Sequence, residues 1–600
     1  MPMSNNENGF PVLSDVLCLL QTKKLLKSSS VSPKEARSLK VRGASADSRN
    51  VTPGNIFICK GSAFKPAYVA QALERGAVAV ICSPQWESAV QEEIENAQTR
   101  ASAQLQPQPQ CQCQDKTPST VPLLVVDDMR RAMAEASALA WGHPNQSLRI
   151  IGVTGTKGKS TTTSMVKALL DEITGDASQT AYLGTHHIFN GKETHETPNT
   201  TPEPPDLWRT LYEAASNGCT YVVMEVSSQA LKYDRTHGLA FDVACFLNIG
   251  TDHISDVEHP TFEDYLQSKL RIFDQTRNVV LNIDTAHFQE VENYLQEHLG
   301  FQKQETFPGA SLLGFPQDET YENAPTLSEE TTRAMPSQTP TTETLMLSVP
   351  LTTVSLVNHE ADYYASDITV ENDTRQSMCF TLHTPTFAQT LTLGMSGEHN
   401  VLDAVAALAI IGNLDIPDAK QKAAAESVLP HMGIPGRMEI ISSPDNCIVG
   451  VVDYAHNDIS FETFFNTIKK NYPDAYVIAL FGVSGGKALN RYQDLPRVAS
   501  QYAHFLFLTS DEPGDVDPHL LLDEMEKGVA AGVPYTKEVD RERAVDLAYA
   551  KAQELLKRGE ATQVVICALG KGDETSMEVD GKTVSIEPDL PHLKRLLSQN

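Results

Sequence analysis

Short apolar runs separated by amphipathic stretches recur along most of the chain. Near the amino terminus NIFICK, the helical AYVAQALERG and AVAVIC alternate strand, helix and strand, and VPLLVV resumes the pattern, which predicts a small α/β unit. Leu148 to Val153 predicts an apolar strand that passes through a glycine-rich turn into the helix STTTSMVKALLDEI. Strands follow at TYVVMEV, DVACFLNIG and NVVLNID, then a helix at Gly397 to Gly412. From Met438 a new series begins, IVGVVDY, YVIALFG, HFLFLTS and QVVICALG, with helical stretches between. Runs this short and this continuously apolar predict parallel strands covered on both faces.

Two segments break the pattern: Gln98 to Thr120, containing QLQPQPQCQCQ, and Gln302 to Leu345, rich in Thr, Pro, Glu and Ser. Both lack the periodicity that builds a core and read as surface insertions or linkers. The turn around Gly433, Pro435 and Gly436 marks a boundary between the second and third domains.

Length and charge narrow the function. Six hundred residues with 41% hydrophobic side chains exceed one core and imply about three to four domains. The 48 Lys+Arg against 77 Asp+Glu give a net charge of -29, which repels nucleic-acid backbones and anionic lipid. The polar amino terminus and the absence of any run of about 18 apolar residues predict neither signal peptide nor membrane span, hence a cytoplasmic protein without membrane insertion. Ten cysteines lie scattered; Cys59, Cys82 and Cys567 fall in strand-like runs and read as reduced core thiols, and Cys111 and Cys113 lack partners at zinc spacing.

The strongest local signal is Gly152-Val153-Thr154-Gly155-Thr156-Lys157-Gly158-Lys159-Ser160-Thr161, between strand and helix. Gly155 and Gly158 let backbone N–H groups approach phosphates, the helix start adds a positive dipole end, Lys159 reaches terminal phosphates and Ser160 offers a hydroxyl to Mg²⁺. Glu225 and His253 follow apolar strands, at the carboxyl ends where ligands collect in parallel sheets. Singly they read as a strand-end cap and a satisfied loop histidine. Beside a phosphate loop, Glu225 reads as an oxygen ligand for Mg²⁺.

At this point the ordered motifs resemble one family, the ATP-dependent Mur ligases of peptidoglycan precursor synthesis, and most closely the member that adds the third residue of the stem peptide. The matching segments are TGTKGKSTT, NTTPE at 199 to 203, EVSSQAL with Arg235 downstream, NIGTDH, Lys269 in YLQSKLRIF, GEHNVLDAVAALA, GIPGRMEII, VVDYAHN and ALGKGDE, with ADSRNVTPGNIF near the amino terminus. The resemblance implies an α/β fold in three domains: a uridine-binding domain at 1–146, a central P-loop ATPase sheet at 147–434 and a Rossmann-like domain at 435–600. It also implies a monomer active in cell-wall biogenesis, cell shape and division, with ATP and Mg²⁺.

Carried over by position, Ser48, Asn199, Thr200, Thr201, Ser227 and Arg235 resemble contacts to UDP-N-acetylmuramoyl-L-alanyl-D-glutamate. Tyr233 stands where the family often has Gln. Lys269 resembles the lysine that is carbamylated in the family and helps hold Mg²⁺ with His253. Asn400, Arg437 and Asp453 resemble contacts to adenine, terminal phosphate and ribose, and His456 lies where ATP and the amino acid meet. Arg491, Asp511, Glu512, Gly570 and Glu574 resemble amino-acid contacts.

The implied chemistry is activation of a carboxylate to an acyl phosphate, followed by amine attack. Family members that add diaminopimelate carry Asp-Asn-Pro-Arg where this chain has Asp511-Glu512-Pro513-Gly514, with Asp515 and Asp517 close by. Losing the Arg and gaining Glu512 favours a distal ammonium over a second carboxylate, which predicts L-lysine or L-ornithine. One methylene separates those two, worth only about 1–3 kcal/mol. Folylpolyglutamate synthases and other amide ligases share the central and last domains but lack the uridine domain. A nucleotide-binding scaffold without turnover would need no second metal site.

Overall fold

The computed structural model describes residues 10–61, 64–104, 120–185, 187–197, 199–250, 254, 258–299, 349–371, 377–433, 436–486 and 489–598. Two compact units divide the chain, residues 1–159, 178–252 and 262–364 in one and residues 160–177, 253–261 and 365–600 in the other.

The first unit opens with strands β1 (Leu26–Ser29), β2 (Ala44–Ser45), β3 (Ile56–Ile58), β4 (Ala79–Cys82) and β5 (Leu123–Val126), in the order β1-β5-β4-β3-β2. Alternation explains the continuous apolar run in β4: Ala79 and Ile81 join one core with Leu13, Leu17 and Met133, whereas Val80 and Cys82 join another with Val69 and Val90. A strand covered by helices on both faces has no side that needs polar residues.

The central sheet follows the same logic. It contains β6 (Arg149–Thr154), β7 (Thr180–Leu183), β8 (His187–Phe189), β9 (Thr194–Glu196), β10 (Tyr221–Glu225), β11 (Val243–Phe246), β12 (Val279–Asn282) and β13 (Leu351–Ser355), with β14 (Tyr363–Val370) starting beside β13. Its order within this unit is β13-β12-β11-β6-β10-β7-β8-β9, so β6 is flanked by parallel neighbours on both sides. Gly152 is required there, since a Cβ would lie 2.7 Å from the Phe241 ring. β6 ends at Thr154, and the helix Lys159–Thr174 begins five residues on.

The second unit carries the antiparallel hairpin β15 (Met378–His383) and β16 (Ala388–Leu393). It also carries a sheet of β17 (Glu439–Ser442), β18 (Ile448–Asp453), β19 (Tyr476–Phe481), β20 (Phe505–Leu508), β21 (Tyr535–Lys537) and β22 (Val564–Leu569), in the order β17-β18-β22-β19-β20-β21. All pairs but β17–β18 are parallel. Ala479 and Phe481 face one core, Ile478 and Leu480 the other. A two-stranded hairpin, β23 (Ser576–Val579) and β24 (Lys582–Ser585), follows.

The predicted strands and helices form where the periodicity placed them, and the fold is α/β with parallel sheets as expected. One boundary differs. The helix Glu87–Gln104 runs through the start of the expected insertion at 98–120, because Glu, Ala and Gln sustain a helix without an apolar stripe. Residues 105–119, including Cys111 and Cys113, and the insertion at 302–345 lie outside the described residues. Cys59, Cys82 and Cys567 are buried free thiols, as read from their strands. Among the described residues, no helix is long and apolar enough to cross a membrane.

Candidate active site

The turn after β6 is held open from beneath. Thr154 Oγ1 donates to the Val226 carbonyl at 2.8 Å, and the Asn248 side chain accepts from Lys157 N at 2.9 Å while donating to Lys157 O at 3.2 Å. Thr156 Oγ1 lies 3.1 Å from the Tyr265 hydroxyl and accepts from Gly250 N at 3.0 Å. Gly158 adopts φ +83°, a left-handed conformation that glycine takes without strain. Two lysines converge on one carbonyl: Lys159 Nζ and Lys269 Nζ each donate to Gly155 O at 2.9 Å. Lys269 is 1% exposed and stands 4.8 Å from the Tyr265 ring centroid. Ser160 and Thr161 open the helix that follows, with Thr161 buried.

Glu225 closes β10 beside this turn and is buried. Its carboxylate accepts from Thr185 N at 2.9 Å and from Thr185 Oγ1 at 3.0 Å. Four of the residues expected around the sugar-peptide substrate, Thr200, Thr201, Ser227 and Arg235, join it in one network. Thr185 Oγ1 donates to Thr200 Oγ1 at 3.3 Å, Thr201 Oγ1 donates to the Glu225 carbonyl at 2.9 Å and accepts from Ser227 N at 3.0 Å, and Arg235 donates to Thr201 O at 3.1 Å and pairs with Glu203 at 2.9 Å. Lys60 pairs with the other Glu203 oxygen. Asn199 accepts from Thr197 Oγ1 through its carbonyl at 2.9 Å. Tyr233 lies under Arg130, 4.0 Å from guanidinium carbon to ring centroid. Ser48, buried, donates to Gln71 Oε1 at 2.7 Å. His253 lies outside the described residues.

In the second unit, Asn400 anchors its own helix start by donating to Ser396 O at 2.7 Å. Asp453, at the end of β18, accepts from Ala455 N at 2.7 Å and Met438 N at 2.8 Å, which shapes the turn carrying Arg437. His456 Nδ1 lies 2.6 Å from the Tyr454 carbonyl. Asp403 is a residue the sequence reading passed over. It is buried, and that burial pushes its carboxyl up to about 8, against the opposing pull of nearby Arg437. Its spacing of three from Asn400, which puts both on one helix face, was the available signal.

The loops expected to take the amino acid lie at the carboxyl ends of β20 and β22. Lys571 is 1% exposed and pairs with both Glu512 and Glu574. Glu512 also accepts from Glu578 N at 2.9 Å, so its carboxylate has partners inside the chain. Asp517 caps the helix Pro518–Glu526 by accepting from His519 N. Gly570 lies against Asp511, where a Cβ would meet Oδ2 at 2.9 Å. Arg491 starts the helix Arg491–Ala499. Arg541, unmentioned by sequence reasoning, forms a buried pair with Asp589 and donates to the Ser510 and Leu569 carbonyls at 3.0 Å, fixing both loop stems.

Burial pushes the Asp511 carboxyl up to about 6, against the pull of Arg541 and Lys571 and with the push of Glu574 and Glu512. Burial works to lower Lys571, but Asp511, Glu574 and Glu512 outweigh it and hold the amine above its ordinary range. An ammonium ligand needs ionised Asp511. The expected result is a KM for the amino acid that climbs about tenfold per pH unit below about 6, with KM for ATP level. Steady-state kinetics from pH 7.5 to 5 would show it, and a flat amino-acid KM would remove Asp511 from the site.

Glu225, a buried carboxylate beside the turn, fits Mg²⁺, an ion that takes one or two carboxylates and fills its other positions with phosphate and water. A parallel sheet that delivers such a turn to a helix start defines a nucleotide-using enzyme of the P-loop class.

The chain belongs to the Mur ligase family. Residues 153–310 match the Mur ligase middle domain and residues 436–571 the Mur ligase glutamate ligase domain. It is 30% identical over 564 residues to the UDP-N-acetylmuramyl-tripeptide synthetase of Bifidobacterium longum, covering 92% of this chain and 91% of that protein. It is 29% identical over 545 residues to the UDP-N-acetylmuramoyl-L-alanyl-D-glutamate--L-lysine ligase of Enterococcus faecalis, covering 90% and 88%. In fold it resembles a UDP-N-acetylmuramoyl-L-alanyl-D-glutamate--2,6-diaminopimelate ligase, with TM-score 0.56, 23% identity and 98% and 99% coverage. A folylpolyglutamate synthase of Mycobacterium tuberculosis matches with TM-score 0.52 and 14% identity but covers only 74% of this chain.

Proposed function

We propose that this cytoplasmic enzyme uses ATP to add L-lysine, with L-ornithine as the near rival, to UDP-N-acetylmuramoyl-L-alanyl-D-glutamate, the third-residue step of peptidoglycan precursor synthesis. The names of its relatives in Bifidobacterium longum and Enterococcus faecalis support the reaction. The observation that carries the choice of amino acid is the charge at Lys571. This cation is engaged by Glu512 and Glu574, so it is not offered to a second carboxylate, and with Asp511 nearby three carboxylates surround one lysine. The surplus is negative and favours a distal ammonium. Glu512 thus acts in this reading mainly by holding Lys571, a role that composition alone would not assign.

The residue roles follow. Lys159 and Arg437 draw charge from the terminal phosphate as the D-glutamate γ-carboxylate attacks it, giving an acyl phosphate and ADP. Glu225, Ser160, His253 and Lys269 would hold Mg²⁺, which would supply further neutralisation of phosphate charge. Lys269 would do so as a carbamate, formed when its neutral amine adds to CO₂ and loses a proton. Ser48, Asn199, Thr200, Thr201, Ser227 and Arg235 orient the UDP-linked dipeptide, and Asn400 and Asp453 the nucleoside. Asp511, Glu574, Gly570 and Arg491 place the amine for attack on the acyl phosphate, near His456. Positioning and electrostatics suffice, and no protein nucleophile is required.

Phosphate release with ATP, Mg²⁺ and the UDP-linked dipeptide tests this, run across lysine, ornithine, diaminopimelate and no amino acid with mass spectrometry of the product. Turnover with a basic diamino acid alone is expected. Preference for diaminopimelate would refute the charge argument while keeping the ligase, and no turnover would favour a scaffold.

A further inference from the structure

Tyr454, between Asp453 and His456, is 5% exposed and touches both the turn with Arg437 and the loop with Glu574. Its backbone N donates to Gly436 O at 2.8 Å. The same ring edge meets two glycines: a Cβ on Gly436 would lie 2.4 Å from Cε2, and one on Gly572 2.5 Å from it. A Cβ on Gly436 would also lie 2.8 Å from Asp573 N, so turn and loop meet at this edge. The Arg437 guanidinium carbon lies 5.3 Å from the ring centroid, within cation–π range. The Tyr454 hydroxyl donates to Asp573 Oδ1, and Asp573 immediately precedes Glu574, a partner of Lys571. Burial and Asp573 both raise the hydroxyl's pKa, which keeps it a donor at working pH.

We propose that Tyr454 is a positioning residue that couples the turn carrying Arg437 to the amino-acid loop at Asp573 and Glu574. A phosphate drawn onto Arg437 fixes the turn, the turn fixes the ring, and the ring hydroxyl fixes the loop that receives ammonium groups. Such coupling is reciprocal in binding, so the amino acid tightens nucleotide binding by the same factor. The identity of the amino acid rests on the function proposed above; the coupling does not.

Hydrogen exchange at residues 570–574, with and without a non-hydrolysable ATP analogue and Mg²⁺, reads the coupling directly. The analogue should slow exchange about tenfold in the unmodified chain and less than about twofold in Tyr454→Phe, which keeps the ring and loses one bond to a carboxylate. Equal protection in both, or none in the unmodified chain, overturns the proposal. In turnover assays, Tyr454→Phe and Asp573→Asn should each raise KM for the amino acid about tenfold, and the double variant no more than either alone. Their kcat should stay within about twofold, and the amino acid should tighten binding of the ATP analogue less in each than in the unmodified chain. Multiplying effects, or a fall in kcat and melting temperature with KM unmoved, would show a merely structural tyrosine. If the unmodified chain turns over no amino acid, the functional reading falls, and the exchange experiment still decides the coupling.

Discussion

Replacing Lys159 by Met lowers ATP-dependent phosphate release by about a thousandfold or more, the scale of losing one aligned charge at a transferring phosphoryl group. The side chain lies along the phosphate turn, with Nζ 2.9 Å from Gly155 O and 3.4 Å from Thr156 O. A phosphate brought to the turn offers the ammonium a charged partner. Met keeps the length and apolar stem while deleting the ammonium, so packing changes little and the loss is electrostatic. The melting temperature without nucleotide should stay within a few degrees, whereas binding of an ATP analogue weakens. A folded Lys159→Met variant within tenfold of normal turnover would take Lys159 out of the mechanism.

The second large effect is at Lys269. Lys269→Ala should lose about a thousandfold in turnover and recover a substantial part with excess formate or acetate. Lys269 is a large, almost fully buried side chain, held at the phosphate turn by its bond to Gly155 O and close to Tyr265. Truncation leaves a cavity beside Tyr265 in which a small carboxylate can supply the anionic oxygens of a carbamate. Lys269→Arg is the control: it keeps a cation, cannot form the carbamate and leaves no room for formate, so it should be inactive with or without it. Full activity of unrescued Lys269→Ala would sink the carbamate, and so would a folded variant that formate never restores. A melting curve distinguishes that case from unfolding.

Much of the fold was legible because continuous four- to six-residue apolar runs such as AVIC, YVVM and VVICAL mark strands buried on both faces. The helix through 98–104 was not, since polarity there masked good helix formers. The three-residue strands β8 and β9 were passed over, being too short to show an alternation, and so were β15 and β16, although β15 alternates buried and half-buried residues. At the candidate site, Gly155, Lys159, Glu225 and Lys269 stood in recognisable strings, but no spacing rule states that Lys269 donates to the carbonyl of a residue 114 positions away. Asp403 had only its spacing from Asn400, and Tyr454 and Arg541 carried no local signal, for each gains its role from neighbours distant in sequence.

Charge shows the division most clearly. The chain's own sequence determined the α/β elements, the phosphate turn and an acidic loop at 511–517, since these depend on local periodicity, glycine at special backbone positions and residue type. Only the tertiary structure decided what the charges do. It buries Lys571 between Glu512 and Glu574, spends Asp517 on a helix cap and lifts Asp511 to about 6 by desolvation. The physical reason is that a charge's effect is set by its solvent exposure and its partners within a few ångströms, and both are properties of packing between segments far apart along the chain.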